Sequence, residues 1–309
     1  MWSWGRKQQA SPEPPKSPPP VTDIIVSQSL FDSDDPHDLP YAVVEYVNHL
    51  IHTAGYERDE LPREALWSFN VDYYLAQVNN GGHGQFAGNS GWREATVVDI
   101  QSGLEAMGLD EALEVFEGLM LFAHEHPDRF VAAAEAGGFG DIDPVIRDLD
   151  DRFFAGPSHA IAPANGAWLR ELPALRVVPD AEREAVLEQI AAANTAADAR
   201  RAARERIARE AEERDPLVQA FKHLLTHTRP PLTYQGWTAG YPRETDEGPV
   251  HIFGVSTEAG VIQAILSHRE AVLREGFVGP VLARVPMDTL DRAVVKKTGQ
   301  SVREALFGG

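Results

Sequence analysis

Apolar residues recur at helical intervals through the first half of the chain. Val43, Val44, Val47, Leu50 and Ile51 form one such stripe. Pro62 opens a second helix that runs to about Asn79, since proline fits a first turn. The pattern continues in helices at about Trp92–Met107, Leu109–His124, Pro127–Ala136 and Pro144–Phe154. Residues 21–175 therefore read as an all-α bundle. From 176 to 215 the chain is mostly Ala, Glu and Arg, strong helix formers, with few large apolar residues besides Val186, Leu187, Ile190 and Ile207. One long, largely solvated connector helix is the expectation. Beyond Pro216 the style changes. Leu217–Leu225 reads as helix, and Leu232–Tyr234, Val250–Val255 and Pro280–Val285 as strands. Helices are expected at about Thr257–Ser267 and Met287–Val295. The fold class is thus mainly α: an all-α helical N-terminal domain, a long connector helix, and a small α+β C-terminal domain at 216–309. Residues 1–20, with six prolines between Pro12 and Pro20, read as an extended, disordered tail.

One stretch breaks the bland helical pattern. Between Phe69 and Trp92, Asn70, Tyr73 or Tyr74, and Gln77 fall at helical spacing among apolar residues. Asn79-Asn80 and Gly81-Gly82 then end the helix. A short Gln85-Phe86 turn and Asn89-Ser90-Gly91 lead into the next one. Amides and phenols at this spacing satisfy backbone groups where two helices and a turn meet, so Asn70, Gln77, Asn80, Gln85 and Asn89 are expected to be mostly buried and bonded to backbone.

The run Phe69-Asn70-x-Asp72-Tyr73-Tyr74-x-x-Gln77-Val78-Asn79-Asn80-Gly81-Gly82-x-x-Gln85-Phe86-x-x-Asn89-Ser90-Gly91 resembles a bacterial family of domains of unknown function, named after a DNA mimic protein, "DNA mimic protein nineteen". The resemblance covers about residues 40–170. The family usually has an aromatic after the double glycine, where this chain has His83, and aromatics after the Gln, where it has Phe86-Ala87. The resemblance implies an all-α domain whose partner is a DNA-binding protein.

Charge gives this weight. The chain carries a formal −19, and residues 21–150 hold twenty-five Asp/Glu against five Lys/Arg. Such a concentration repels nucleic acid and anionic membranes and speeds encounter with basic surfaces. The chain has no cysteine, which removes disulfides, thiolate nucleophiles and Cys-ligated metals. No apolar run approaches the roughly 20 residues of a membrane span. Ser11–Pro20 lacks the plan of a signal peptide. A cytoplasmic bacterial protein is the expectation.

Asp110, Glu111, Glu114 and Glu117 lie along one predicted helix, with Leu109, Leu113, Phe116 and Met120 on its other side. Carboxylates four residues apart on a helix are about 6 Å apart, on the scale of DNA phosphate spacing. Asp148 and Asp151, with Asp141, Asp143 and Asp150, extend the row. The bland alternative is an ordinary solvated face. Other constellations are weaker. Asp32-x-Asp34 lacks the glycine and distal Glu of a calcium loop, and Asp38 or a neighbour better caps a helix. His49/His52 and His124/His126 lack a third ligand. His83 would need an orienting carboxylate, such as Asp72, and a pocket to act as a base.

The leading reading is an acidic, non-enzymatic interaction domain that engages a basic protein surface, by resemblance that of a DNA-binding protein or transcriptional regulator, without cofactor or metal and without direct contact to nucleic acid or membrane. Homodimerisation stays open. A second reading is an enzyme or small-molecule binder with its site at the Asn/Gln/His83 turn. A third is an immunity- or scaffold-type protein.

Overall fold

Helix starts in this chain are written by proline. Pro127, Pro144, Pro157 and Pro216 each occupy the first turn of a helix, where the missing N–H has no partner to lose. Asp143 and Asp215 cap two of these helices by accepting from Val145 and from Leu217 and Val218. The computed structural model describes residues 18–138, 142–246, 248–276 and 279–307. Most of the expected Pro-rich tail, residues 1–17, and Asp141 lie outside the described residues.

The chain is mainly α and divides into two compact units, Met1–Arg201 and Ala202–Gly309. The first unit runs β1 (Ile24–Ser27), α1 (Gln28–Phe31), α2 (Asp38–Asn48), a π-helical turn at His49–Thr53, a 3-10 turn at Arg58–Glu60, then α3 (Arg63–Ser90) and α4 (Glu94–Ala106). It continues through α5 (Asp110–Glu125), α6 (Pro127–Ala136), α7 (Pro144–Ala155), α8 (Pro157–Glu171), β2 (Leu175–Val178), α9 (Asp180–Ala193) and the start of α10 (Ala197–Arg214). It is not purely α. β1 pairs in parallel with β2, Ile24 opposite Leu175, and all four β1 residues are buried. A run as short as Ile24-Ile25-Val26-Ser27 carries no periodicity, and its partner is some 150 residues away, so the pairing is invisible locally.

Two apolar cores fill this unit. One gathers Tyr74, Phe86, Phe116 and Phe153 from α3, α5 and α7. The other packs β1 against α2, with Tyr46, Leu50 and Leu169. The expected single connector helix is instead two helices. Asn194 breaks them: its Nδ2 donates to Ala54 O and its Oδ1 accepts from Ala196 N. α9 buries Leu187, and Tyr56 donates to Ile190 O. At the start of α10, Arg200 donates to both oxygens of Glu60, at 2.7 and 2.8 Å. α10 itself buries no residue.

The second unit holds the end of α10, α11 (Pro216–Leu225), five strands and two closing helices, α12 (Met287–Thr298) and α13 (Val302–Phe307). The strands β3 (Tyr234–Thr245), β4 (Gly248–Thr257), β5 (Gly260–Ser267), β6 (Glu270–Arg274) and β7 (Val281–Pro286) form an antiparallel meander in chain order. The helix expected over Thr257–Ser267 is therefore a turn and a strand. Thr257 Oγ1 donates to Gly260 O across the hairpin. Val261 and Ile265 are apolar on the side opposite Ile262, Ala264 and Leu266, which masked the two-residue period.

Candidate functional site

The motif lies on α3, and the double glycine is its pivot. Gly81 and Gly82 leave helical geometry inside this long helix, and Gly82 takes φ +73°. A side chain there would meet the Asp150 carboxylate at 2.5 Å, so the left-handed conformation and the close approach both require glycine. The expected Gln85-Phe86 turn is absent. The backbone re-enters helix at once and stays in it to Ser90, because Gly84 and Gly88, one turn apart, let the end of α6 lie against this segment at the Ala133 and Ala134 carbonyls.

His83 is fully buried at this pivot. Its Nδ1 lies 2.6 Å from Asp150 Oδ1, and its backbone N–H donates to the same oxygen at 2.8 Å. A carboxylate accepts, so Nδ1 donates to it, and the Tyr74 hydroxyl stands in hydrogen-bond contact with Nε2 at 2.8 Å. Phe86, Phe116 and Phe153 stand edge-on to the Tyr74 ring at 5.1, 5.1 and 5.4 Å. Burial, then the Asp150 charge, pushes the Tyr74 phenol well above its ordinary range. The carboxylate that orients His83 is thus Asp150, not Asp72. Asp72 is half-buried, and burial pushes its carboxyl up against the opposing charge of His37. A cavity of about 180 Å³ between α6 and α7 is walled by Arg129, Ala133, Gly138, Ile142, Asp143 and Ile146. Neither His83 nor the motif amides line it.

The amides divide by position. Asn70 is buried and donates to Leu66 O at 2.8 Å and to Asp99 Oδ2 at 2.9 Å. Arg58 pairs with the same carboxylate. Gln77 and Gln85 are half-buried, and Gln77 Oε1 accepts from Gln85 at 3.2 Å and from Asn89 at 2.6 Å. Asn79, Asn80 and Asn89 are exposed. The expectation of burial and backbone bonding therefore fails for Asn80 and Asn89, which sit on the outer side of the pivot, and Gln77 serves side chains more than backbone. Tyr73 is half-buried with its ring 6.2 Å from Phe86. Ser90 is buried, donates to Ala87 O and accepts from Trp92 N. Gly91 ends the helix at φ +58°.

The acidic residues build a second feature. Asp110, Glu111, Glu114 and Glu117 on α5 are exposed, while Ala112, Val115, Phe116, Leu119 and Phe122 are buried on its other side. Asp148 and Asp151 are exposed on α7. Asp150 is withdrawn to His83, so it does not extend the row. α7 lies beside α5, and Arg152 Nη2 stands 3.5 Å from Glu114 Oε2. On the other flank Gln101 of α4 donates to Glu117 at 3.4 Å. Asp143 is engaged by Arg129. Near α2, Asp38 is not the cap but lies in the first turn, accepting from Ser33, and Asp35 accepts from His37 N. Among the described residues no group of three His, Asp or Glu is arranged to hold a metal ion, and no helix is long and apolar enough to cross a membrane.

Fold and site together define a helical domain with a buried aromatic and histidine pivot and exposed carboxylates on α5 and α7. Residues 59–172 match the family model described as DMP19-like protein, a span that contains the motif at 69–91. Comparison with curated proteins and with solved structures found no match.

Proposed function

We propose that the first unit is an acidic, non-enzymatic interaction domain, and that it acts as a DNA mimic toward the basic surface of a DNA-binding protein. The observation that carries this is the exposure of Asp110, Glu111, Glu114, Glu117, Asp148 and Asp151 on adjoining helices, beside the twenty-five Asp/Glu against five Lys/Arg of residues 21–150. The α5 carboxylates ride on a rigid helix whose other side is packed into an aromatic core, so their spacing is held at about 6 Å per four residues. The name of the matching family supports the same reading. The motif residues then have a structural role, fixing α3, α6 and α7 so that the acidic helices keep their places. A catalytic role for His83 finds no support in its surroundings. Both ring nitrogens are engaged, the ring is fully buried, and the adjacent cavity does not reach it.

The test is affinity capture of partners from native lysate at low salt, followed by competition with duplex DNA. The reading expects a captured protein with a basic surface that DNA displaces. A captured partner indifferent to DNA would move the protein to the immunity- or scaffold-type reading.

A further inference from the structure

The second unit holds a cavity of about 520 Å³ at one end of its sheet. It lies where α11 leads into β3, β4 turns into β5 and β6 turns into β7. These connections are braced. The buried Thr228 hydroxyl donates to Leu225 O or Pro230 O, each at 2.8 Å, and accepts from Leu232 N at 3.0 Å. Thr233 N donates to Glu258 Oε2 at 2.7 Å, which ties the first connection to the second. Glu275 N donates to Pro280 O at 3.1 Å within the third. A cavity with braced walls takes a ligand at little ordering cost.

The lining is mostly apolar. Leu232, Ile262 and Leu282 join it to the core of the unit. Val261 and Val281 stand at 66% and 43% exposure, apolar surface that a ligand would cover. The lining also carries one Arg and one Glu, Arg229 and Glu275, from two different connections. Both are exposed, and neither side chain has a hydrogen bond or an ion pair among the described residues. His227 lines the cavity as well, with Nδ1 turned back to His223 O at 3.0 Å.

We propose that this cavity binds a small zwitterion with an apolar body, the chemistry of an apolar amino acid or a short apolar peptide. Its carboxylate goes to the Arg229 guanidinium, a planar fork suited to that group. Its ammonium goes to the Glu275 carboxylate, and its apolar body lies on Val261, Val281 and Leu232. The free charges select against other classes. An uncharged apolar ligand would strip water from Arg229 and Glu275 and give neither a partner. A polyanion would meet one free guanidinium and a carboxylate that repels it. A ligand bearing one charge of each sign answers both groups at once.

The test is a ligand-detected NMR titration of the full chain with five probes. Leucine and leucyl-leucine carry both charges and an apolar body. Hexanoate and hexylammonium carry one charge each, and glycyl-glycine carries both charges without the apolar body. Arg229→Gln and Glu275→Gln alter exposed positions, and circular dichroism checks that each variant keeps its fold. Leucine or leucyl-leucine is expected to bind more tightly than the other three, and the tighter of the two identifies a free amino acid or a peptide as the source. Each substitution should weaken that probe at least about fivefold. Arg229→Gln should leave hexylammonium unchanged, and Glu275→Gln should leave hexanoate unchanged, a split that a merely structural effect would not produce. The proposal is overturned if neither leucine nor leucyl-leucine binds, or if hexanoate, hexylammonium or glycyl-glycine binds as tightly. It is equally overturned if both substitutions are ignored, or if each weakens all probes alike.

Discussion

A single oxygen of Asp150 on α7 holds both the Nδ1 and the backbone nitrogen of His83, a residue 67 positions earlier, at 2.6 and 2.8 Å. This contact ties the glycine pivot of α3 to a helix that also carries the exposed Asp148 and Asp151. Replacing Asp150 with Ala leaves buried donors without an acceptor. The expected loss is about 1–3 kcal/mol for a buried group without its partner, read from urea unfolding. Tyr74→Phe removes the hydroxyl at the far end of this run of hydrogen bonds and should cost about 1 kcal/mol. Unchanged midpoints in both variants would show that these bonds do not hold the fold.

Gly82 and Gly137 separate two costs. Both have positive φ, +73° and +59°, but a side chain at 137 meets nothing within 4 Å. Gly137→Ala should therefore lose only the conformational strain, roughly 1–2 kcal/mol. Gly82, at ψ −176°, also lies in a region essentially restricted to glycine, and Gly82→Ala adds collision with the Asp150 carboxylate, so it should lose clearly more. Equal melting temperatures for the two variants would contradict the close-approach argument.

Glu60 and Arg200 contribute to the acid response of the first unit. Hydrogen bonds from Arg200 hold the Glu60 carboxyl below its ordinary value of 4.5. The native state thus binds that proton less tightly than the unfolded chain. The contribution is present above the ordinary Glu value and is lost as pH falls through the lower native one. Arg200→Met should destabilise strongly at pH 7, near the lower end of the ~3–5 kcal/mol for breaking a buried pair, since Arg200 keeps 14% exposure. The gap from wild type should narrow at pH 3. A gap independent of pH would refute the assignment.

Asp72 runs the opposite way. Burial raises its carboxyl above the ordinary Asp range. The native state holds that proton more tightly, so the contribution is present at low pH and lost as pH rises through the native value. Asp72→Asn should raise the melting temperature at pH 7 and give no advantage at pH 3. A variant less stable than wild type at pH 7 would mean that the carboxylate has a partner.

Much of the helical plan is legible in the sequence. α6 begins at Pro127 and α7 at Pro144, where proline at the first turn marks the start. The motif marks the pivot, and the charge count marks the acidic helices. What cannot be read depends on distant partners. β1 needs β2, and the Asn194 break needs Ala54. Asp150 looks like one more acid in the surface row, yet it serves His83. One signal is present: a histidine at a position where the family usually has an aromatic implies a polar partner in the core, and the acids at helical spacing in α7 are the candidates. The Thr257–Ser267 segment reads as helix because both faces of β5 are apolar, which erases alternation.

The central claim is that the carboxylates of α5 form the binding face. The most direct measurement is the affinity of a captured basic partner for wild type and for the Asp110→Asn/Glu114→Gln/Glu117→Gln variant, as salt rises from about 50 to about 200 mM. The account predicts steep weakening with salt for wild type and weaker, flatter binding for the variant. The variant's stability should stay within about 0.5 kcal/mol of wild type, as exposed substitutions do. Equal affinity of the two proteins, or affinity unchanged across that salt range, would contradict it.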